Sequence, residues 1–117
     1  MDNQVADFVE RLISASPEVA SVHRQHIADQ GEILPHVLMA EITRLVIAST
    51  SCGRSAEWRT KFLQQLESGL VSGSGEVAEL VAVSFVENLC GESTAIEALL
   101  PNMGNALRKE LKSICGI

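Results

Sequence analysis

Aromatic side chains are scarce in this sequence, which has 3% aromatic residues, with a single Trp and no Tyr. A protein that binds single-stranded nucleic acid usually stacks bases on aromatic rings, so this class of function is disfavoured. The hydrophobic content is nevertheless 46%, which argues against disorder and requires an aliphatic core. A chain of 117 residues is long enough for one such core and too short for two. We therefore predict a single domain that spans residues 1–117.

Basic residues are missing between Lys61 and Arg108, and every charged residue in that interval is acidic. The formal net charge of −6 thus has its source in one segment. Such a field repels nucleic acid and anionic membranes, and it favours a basic protein partner. The alternative is a solvated surface that only keeps the protein soluble. The candidate partner-binding residues are the six glutamates of this interval: Glu67, Glu76, Glu79, Glu87, Glu92 and Glu97.

The N-terminal sequence has neither a basic stretch nor a long apolar stretch, so no signal peptide is predicted. The cysteines are Cys52, Cys90 and Cys115. Their odd number and unpaired spacing argue against a disulfide framework. We therefore expect a cytoplasmic protein with reduced thiols.

Strand-like alternation of apolar and polar residues is also missing, whereas helical periodicity runs through the chain. We predict an all-α fold of six or seven helices, with helices that begin at Pro35 and Gly75 packed at its centre. Ser16 followed by Pro17 predicts a helix start, and Gly31 predicts the end of the same helix. Further predictions are a helix weakened at Ser68-Gly69, a loop at residues 72–75, a capping box at Thr94 and Glu97, and a last helix over about 105–113.

The candidates for a metal site are the three histidines, together with Glu32 or Asp29. His23 and His26 are three residues apart on a helix and so neighbour each other, and His36 follows Pro35. No recognised ligand spacing supports zinc binding. We therefore assign packing or capping roles to His23 and His26, and a hydrogen bond at a helix start to His36. No cofactor and no catalytic residue is predicted, and we expect no enzymatic activity.

Other reactive or polar positions have ordinary structural explanations. We expect Glu41 and Arg44 to form a partly buried ion pair, and the hydroxyl of Ser84 to bond to the previous helical turn. Cys52 lies near Arg54, which would favour a reactive thiolate, but a bystander loop cysteine is the preferred interpretation. Residues 73–78 formally match a dinucleotide fingerprint, yet no strand precedes them and Glu76 would face the phosphate.

Two stretches resemble a known family. Residues 32–42, EILPHVLMAEI, resemble an E-[LI]-L-P-H segment, and residues 81–89, VAVSFVENL, resemble an A-V-S-F-V-E segment. Both occur in this order in a family of small, all-helical, uncharacterised bacterial proteins, and the resemblance extends from about Val5 to Leu111. The family is similar in size and acidity to the immunity proteins of bacterial toxin systems. The resemblance implies the fold and carries no functional residue with it.

The leading hypothesis is a non-enzymatic binding protein, most concretely an immunity protein that neutralises a basic toxin through its acidic segment. The alternative is a homo-oligomeric structural or regulatory domain, which would need an exposed apolar patch around Trp58 and Phe62. A small metal protein that uses the three histidines is the third hypothesis.

Overall fold

The computed structural model describes residues 3–51, 57–72 and 75–116, and in these ranges every regular element is helical. The prediction of an all-α fold with six or seven helices is confirmed there, because seven helices are present. In chain order they are α1 (Asn3–Ala15), α2 (Pro17–Gln30), α3 (Pro35–Thr50), α4 (Glu57–Ser72), α5 (Gly75–Val81, a π turn over Ala82–Val86, and Glu87–Leu89), α6 (Ser93–Leu99, with a 3-10 turn over Leu100–Asn102) and α7 (Asn105–Cys115).

The two ends of α2 follow the predicted capping chemistry. Ser16 is extended, and its hydroxyl accepts the backbone N–H of Val19 at 3.1 Å. Pro17 occupies the first turn, where its missing N–H leaves no helical bond unmade. Gly31 ends the helix with a φ of 78°, a left-handed conformation that glycine adopts without a steric penalty. These two signals confirm the predicted boundaries of α2.

The helices α3 and α5 lie at the centre of the fold, as predicted. They pack on each other, and α5 also contacts α1, α4, α6 and α7. The rings of Phe62 and Phe85 meet edge to face, with centroids 5.8 Å apart. The core shared by all seven helices is mainly aliphatic, and its fully buried members include Leu12, Val19, Leu38, Ile42, Val46, Leu63, Leu66, Leu80, Val81, Leu89, Leu99 and Leu107.

The middle of α5 is a π turn, which the sequence pattern did not predict. The backbone stays right-handed helical at both of its ends, so α5 is one continuous rod. Val77 and Leu89 are both buried, although a regular α-helix would place residues twelve positions apart about 120° from each other. A π turn absorbs one extra residue. The turn therefore returns Leu89 to the core-facing side of α5, and Ser84, Phe85 and Val86 are buried in succession.

Helix α4 does not weaken at Ser68-Gly69 but continues to Ser72. Gly69 is buried against α1, and a Cβ atom built on it would lie 2.6 Å from Cε1 of Phe8. The glycine is therefore explained by a close approach of two helices. The predicted loop at residues 72–75 lies partly outside the described residues, because positions 73 and 74 are not described.

Two local predictions for the second half of the chain are wrong. Thr94 does not cap α6, because the helix already begins at Ser93. The N-cap position is occupied by Glu92, whose side chain makes no capping hydrogen bond. Cys90 and Cys115 are not reduced thiols but form a disulfide across 25 residues. The last turn of α7 returns beside the end of α5, and this proximity could not be read from sequence spacing. Cys52 and Arg54 lie outside the described residues.

No helix in the described part of the chain combines the length and the apolarity needed to cross a membrane. The longest helices, α3 and α4, have 16 residues each.

Candidate functional site

The candidate site is the outer side of α5, which carries three of the predicted glutamates. Glu76, Glu79 and Glu87 are exposed, and the spacing of the helix places them on one side of the rod. Val83 lies between them on the same side and is 42% exposed. We call these four residues the acidic face. Because the opposite side of α5 is buried in the core, the position of the acidic face is fixed by the fold.

Two further predicted glutamates belong to α6, the helix that follows α5. Glu92 is the N-cap residue of α6 and Glu97 lies within the helix, and both are exposed. Glu97 also lines a cavity of about 390 Å³ together with Ile96, Leu100 and Cys115. The two side chains add exposed negative charge on the helix after α5.

Glu67 is partly buried and contacts another helix, whereas the other five glutamates are exposed. It projects from α4 toward the start of α7, where its two carboxylate oxygens accept the backbone N–H groups of Ala106 and Leu107, each at 2.8 Å. These N–H groups belong to the first turn of α7, which has no partner for them within the helix. The side chain of Glu67 is in close contact with Gly104, where a Cβ atom would lie 2.4 Å from the Glu67 Cδ. Glu67 is therefore a cap supplied by another helix.

His26 and His36 form hydrogen bonds with different partners. His26 is 1% exposed, and its Nε2 accepts the backbone N–H of Leu34 at 3.0 Å. Since Nε2 accepts, the ring proton is on Nδ1, which donates to Oε1 of Glu41 at 2.7 Å. Both nitrogens of His26 are thus used to fasten the α2–α3 connection. This confirms the predicted structural role of His26 and leaves its ring no lone pair for a metal or a substrate.

His36 forms the hydrogen bond predicted for it, with a partner on α5. Its Nδ1 lies 2.6 Å from Oγ of Ser84. His23 is half-buried in α2. Among residues 3–51, 57–72 and 75–116, no group of three or more His, Cys, Asp or Glu side chains is arranged to hold a metal ion.

Two predicted polar contacts are replaced by others. Glu41 pairs with His26 and not with Arg44, whose side chain is exposed. The hydroxyl of Ser84 reaches across to His36 and not to the previous turn. Its carbonyl oxygen accepts Nδ2 of Asn88 at 2.7 Å and lies 3.2 Å from Oγ1 of Thr43. The side chains of His36 and Thr43 thus hold the π turn against α3, while Asn88 bonds to it from within α5.

The apolar patch that a homo-oligomer would need is not formed around Trp58 and Phe62. Phe62 is completely buried, and Trp58 is half-buried and packed against the core. Ile33, Val37, Val71 and Val83 are the large apolar residues that the described surface exposes, and they lie on different elements.

Sequence reasoning missed the cap formed by Glu67, the His26 tether and the cysteine pair. Glu67 and Ala106 are 39 residues apart, so no pattern of neighbouring residues in the sequence indicates this contact. The bonded pair His26 and Glu41 is likewise 15 residues apart. Only the apolar surroundings of His26 indicated that its side chain points inward.

Residues 9–116 match a family described as a domain of unknown function, DUF7674. No curated protein and no solved structure matches the chain. The match extends over most of the sequence and includes both stretches that carry the resemblance noted above. By this match the chain belongs to the DUF7674 family.

Proposed function

We propose that this protein is a non-enzymatic binding protein that recognises a basic protein partner through its acidic face. The observation that supports the proposal is the alignment of Glu76, Glu79 and Glu87 on one side of a central helix. No Lys or Arg occurs between positions 61 and 108, so the segment that contains these glutamates carries charge of one sign. A negative field on a rigid element is the kind of surface that attracts a basic partner.

The geometry suits a partner with a row of positive charges and a small apolar contact. Val83 lies among the glutamates and is 42% exposed, so an alkyl side chain of the partner can pack on it while basic groups reach the carboxylates. Because α5 is buried on its other side, the face is already formed before binding and costs little ordering free energy. Glu92 and Glu97 on α6 widen the target for a partner that approaches along α5.

The most specific form of the proposal is an immunity protein that neutralises a basic toxin in the cytoplasm. The small size, the acidity and the resemblance described above support it. An inhibitor of this type gains fast association from charge complementarity, and the gain falls as salt is added. It requires neither a cofactor nor a catalytic residue, and it does not require contact with nucleic acid or a membrane.

The test compares two variants with the same change in net charge. Glu79→Lys/Glu87→Lys alters the acidic face, whereas Glu10→Lys/Glu32→Lys alters exposed positions of α1 and of the α2–α3 connection. Tagged versions of both and of the wild type are used to isolate partners from the source cells, and binding rates are then measured at several salt concentrations. We expect the face variant to associate with a basic partner at least about tenfold more slowly at low salt, and the control to retain most of the wild-type rate.

Three results would contradict the proposal. One is a partner that both variants bind equally well. Another is a partner whose association is insensitive to salt. The third is a partner that is itself acidic. For the more specific form, a toxic protein encoded beside this gene must also be neutralised by the wild type and not by the face variant.

A further inference from the structure

We propose that the Cys90–Cys115 disulfide is a latch on the last turn of α7 that reduction can open. In this proposal a dithiol protein reductant opens the latch by attacking the sulfur of Cys90. The proposal is independent of the acidic face and of any partner that binds there.

The two cysteines differ in how easily a reductant can reach them. Cys90 is exposed at the end of α5, whereas Cys115 is half-buried in the last turn of α7. Exposed disulfides are the ones that exchange readily with other thiols, while enclosed ones resist reduction. Cys90 is therefore the point of attack.

The local structure also accommodates the reduced pair. The sulfur of Cys90 lies 3.6 Å from the carbonyl oxygen of Val86, and the sulfur of Cys115 lies 3.7 Å from the same oxygen. Once reduced, either thiol can donate a hydrogen bond to this buried acceptor.

Helix α7 has other attachments at its opposite end. Glu67 accepts two N–H groups of its first turn. Leu107 and Leu111 are buried in the core. Arg108 donates to the carbonyl oxygens of Met103 and Leu100, at 3.0 and 2.6 Å. These contacts remain when the disulfide opens, so the first half of α7 stays in place.

Among the described residues, the last turn of α7 has fewer polar anchors than the first, although Ile114 and Cys115 pack against the core. After Leu111 it has the half-buried Ile114, the disulfide and a left-handed Gly116 whose N–H bonds to Lys112. Cys115 also forms one wall of the cavity lined by Ile96 and Leu100. Opening the disulfide therefore loosens the stretch from Lys112 to Gly116 and opens this side of the cavity.

Opening the disulfide by thiol–disulfide exchange requires only the dithiol reductant. A thiolate of the reductant attacks Sγ of Cys90, the Cys90–Cys115 bond breaks, and Cys115 leaves as a thiolate that takes up a proton. The second thiol of the reductant, as its thiolate, then attacks the mixed disulfide and releases Cys90. The protein gains two thiols and the reductant becomes a disulfide. In a reducing cytoplasm a disulfide of this kind acts as a transient or sensing bond.

The first experiment measures amide hydrogen exchange on the oxidised and the reduced protein, both carrying Cys52→Ala so that only the pair can react. Cys90→Ser/Cys115→Ser in the same background is the matched control, and adding reductant must not change it. On reduction we expect exchange at residues 112–116 to rise at least about tenfold more than at residues 105–111. Loss of protection in all helices together would overturn the latch, because the disulfide would then support the whole fold. Unchanged exchange at residues 112–116 would also overturn it.

The second experiment identifies the attacked sulfur. The oxidised Cys52→Ala protein is incubated with a thioredoxin-type protein whose resolving cysteine has been replaced, so that the mixed disulfide persists. Mass spectrometry of the trapped species should place the link on Cys90. A link on Cys115, or no trapped species, would contradict the proposed point of attack.

Discussion

Glu67 and Glu79 are glutamates of the same acidic segment, yet the fold uses them differently. Glu67 reaches from α4 to the first turn of α7 and accepts two backbone N–H groups. Glu79 is exposed on the outer side of α5. The first carboxylate joins two helices, and the second contributes only charge to the surface. A count of acidic residues therefore overstates the number that are available to a partner.

The same contrast extends to the other polar groups of the fold. His26 and Glu41 connect α2 to α3 from inside, as Glu67 connects α4 to α7. Removing an internal polar group leaves its partners unpaired, which costs more than removing an exposed one. Stability and binding measurements on variants can therefore separate internal polar groups from exposed ones.

The largest effect is expected for His26→Ala, which should lower the free energy of unfolding by about 3 kcal/mol. It removes two hydrogen bonds, leaves the N–H of Leu34 and the carboxylate of Glu41 without this partner, and creates a cavity. Urea unfolding followed by circular dichroism measures the change. His23→Ala, three residues earlier on the same helix and only half-buried, should cost clearly less. Equal losses of stability for the two variants would show that the two hydrogen bonds of His26 add no stability beyond that of a half-buried histidine.

A smaller effect is expected for Glu67→Ala, about 2 kcal/mol, since it removes the cap of α7. Glu67→Gln should lie between the wild type and Glu67→Ala, because one amide oxygen can still accept a single N–H. Glu97→Ala serves as the exposed control and should change stability by less than about 0.5 kcal/mol. If Glu67→Ala behaves like Glu97→Ala in urea unfolding, then Glu67 belongs with the exposed glutamates.

Ser84→Ala should cost about 1 kcal/mol, because its lost hydrogen bond has an exposed partner that water can satisfy. Ser84 is 4% exposed and its hydroxyl meets His36, whose side chain is accessible to solvent. Thermal unfolding compared with Ser113→Ala, an exposed serine of α7, measures the difference. A loss as large as that of His26→Ala would mean that the π turn depends on this hydroxyl.

The smallest effect on stability is expected for Glu79→Lys/Glu87→Lys, within about 0.5 kcal/mol of the wild type. The same variant should have the largest effect on binding, because it replaces the negative charges that attract a basic partner with positive ones. Urea unfolding of this variant beside Glu10→Lys/Glu32→Lys checks that neither is damaged. A marked destabilisation of the face variant alone would place Glu79 or Glu87 with the internal polar groups.

The fold was largely predictable from the sequence because its signals are local. The serine cap before Pro17, the left-handed Gly31 and the apolar periodicity of α3 and α5 all act within a few residues. The structure confirms these predictions over the residues it describes. The exposed positions of Glu76, Glu79 and Glu87 follow from the same periodicity.

The remaining features depend on contacts between distant residues. The Glu67 cap, the partner of Ser84 and the cysteine pair each require knowledge of which helices meet. The prediction of an ion pair between Glu41 and Arg44 was wrong for this reason. Arg44 is closer to Glu41 in sequence, but Glu41 pairs with His26 on α2. Likewise, Gly69 resembled a helix breaker until its contact with Phe8 was known.

The π turn has one consequence for how this family can vary. Helix α5 contains one residue more than its register requires, because the turn absorbs the surplus before Leu89. Removing a single residue from positions 82–86 would convert the turn to a regular α-helix and leave Leu89 and Cys90 facing the same neighbours. Relatives one residue shorter at this point should therefore keep the core and the disulfide.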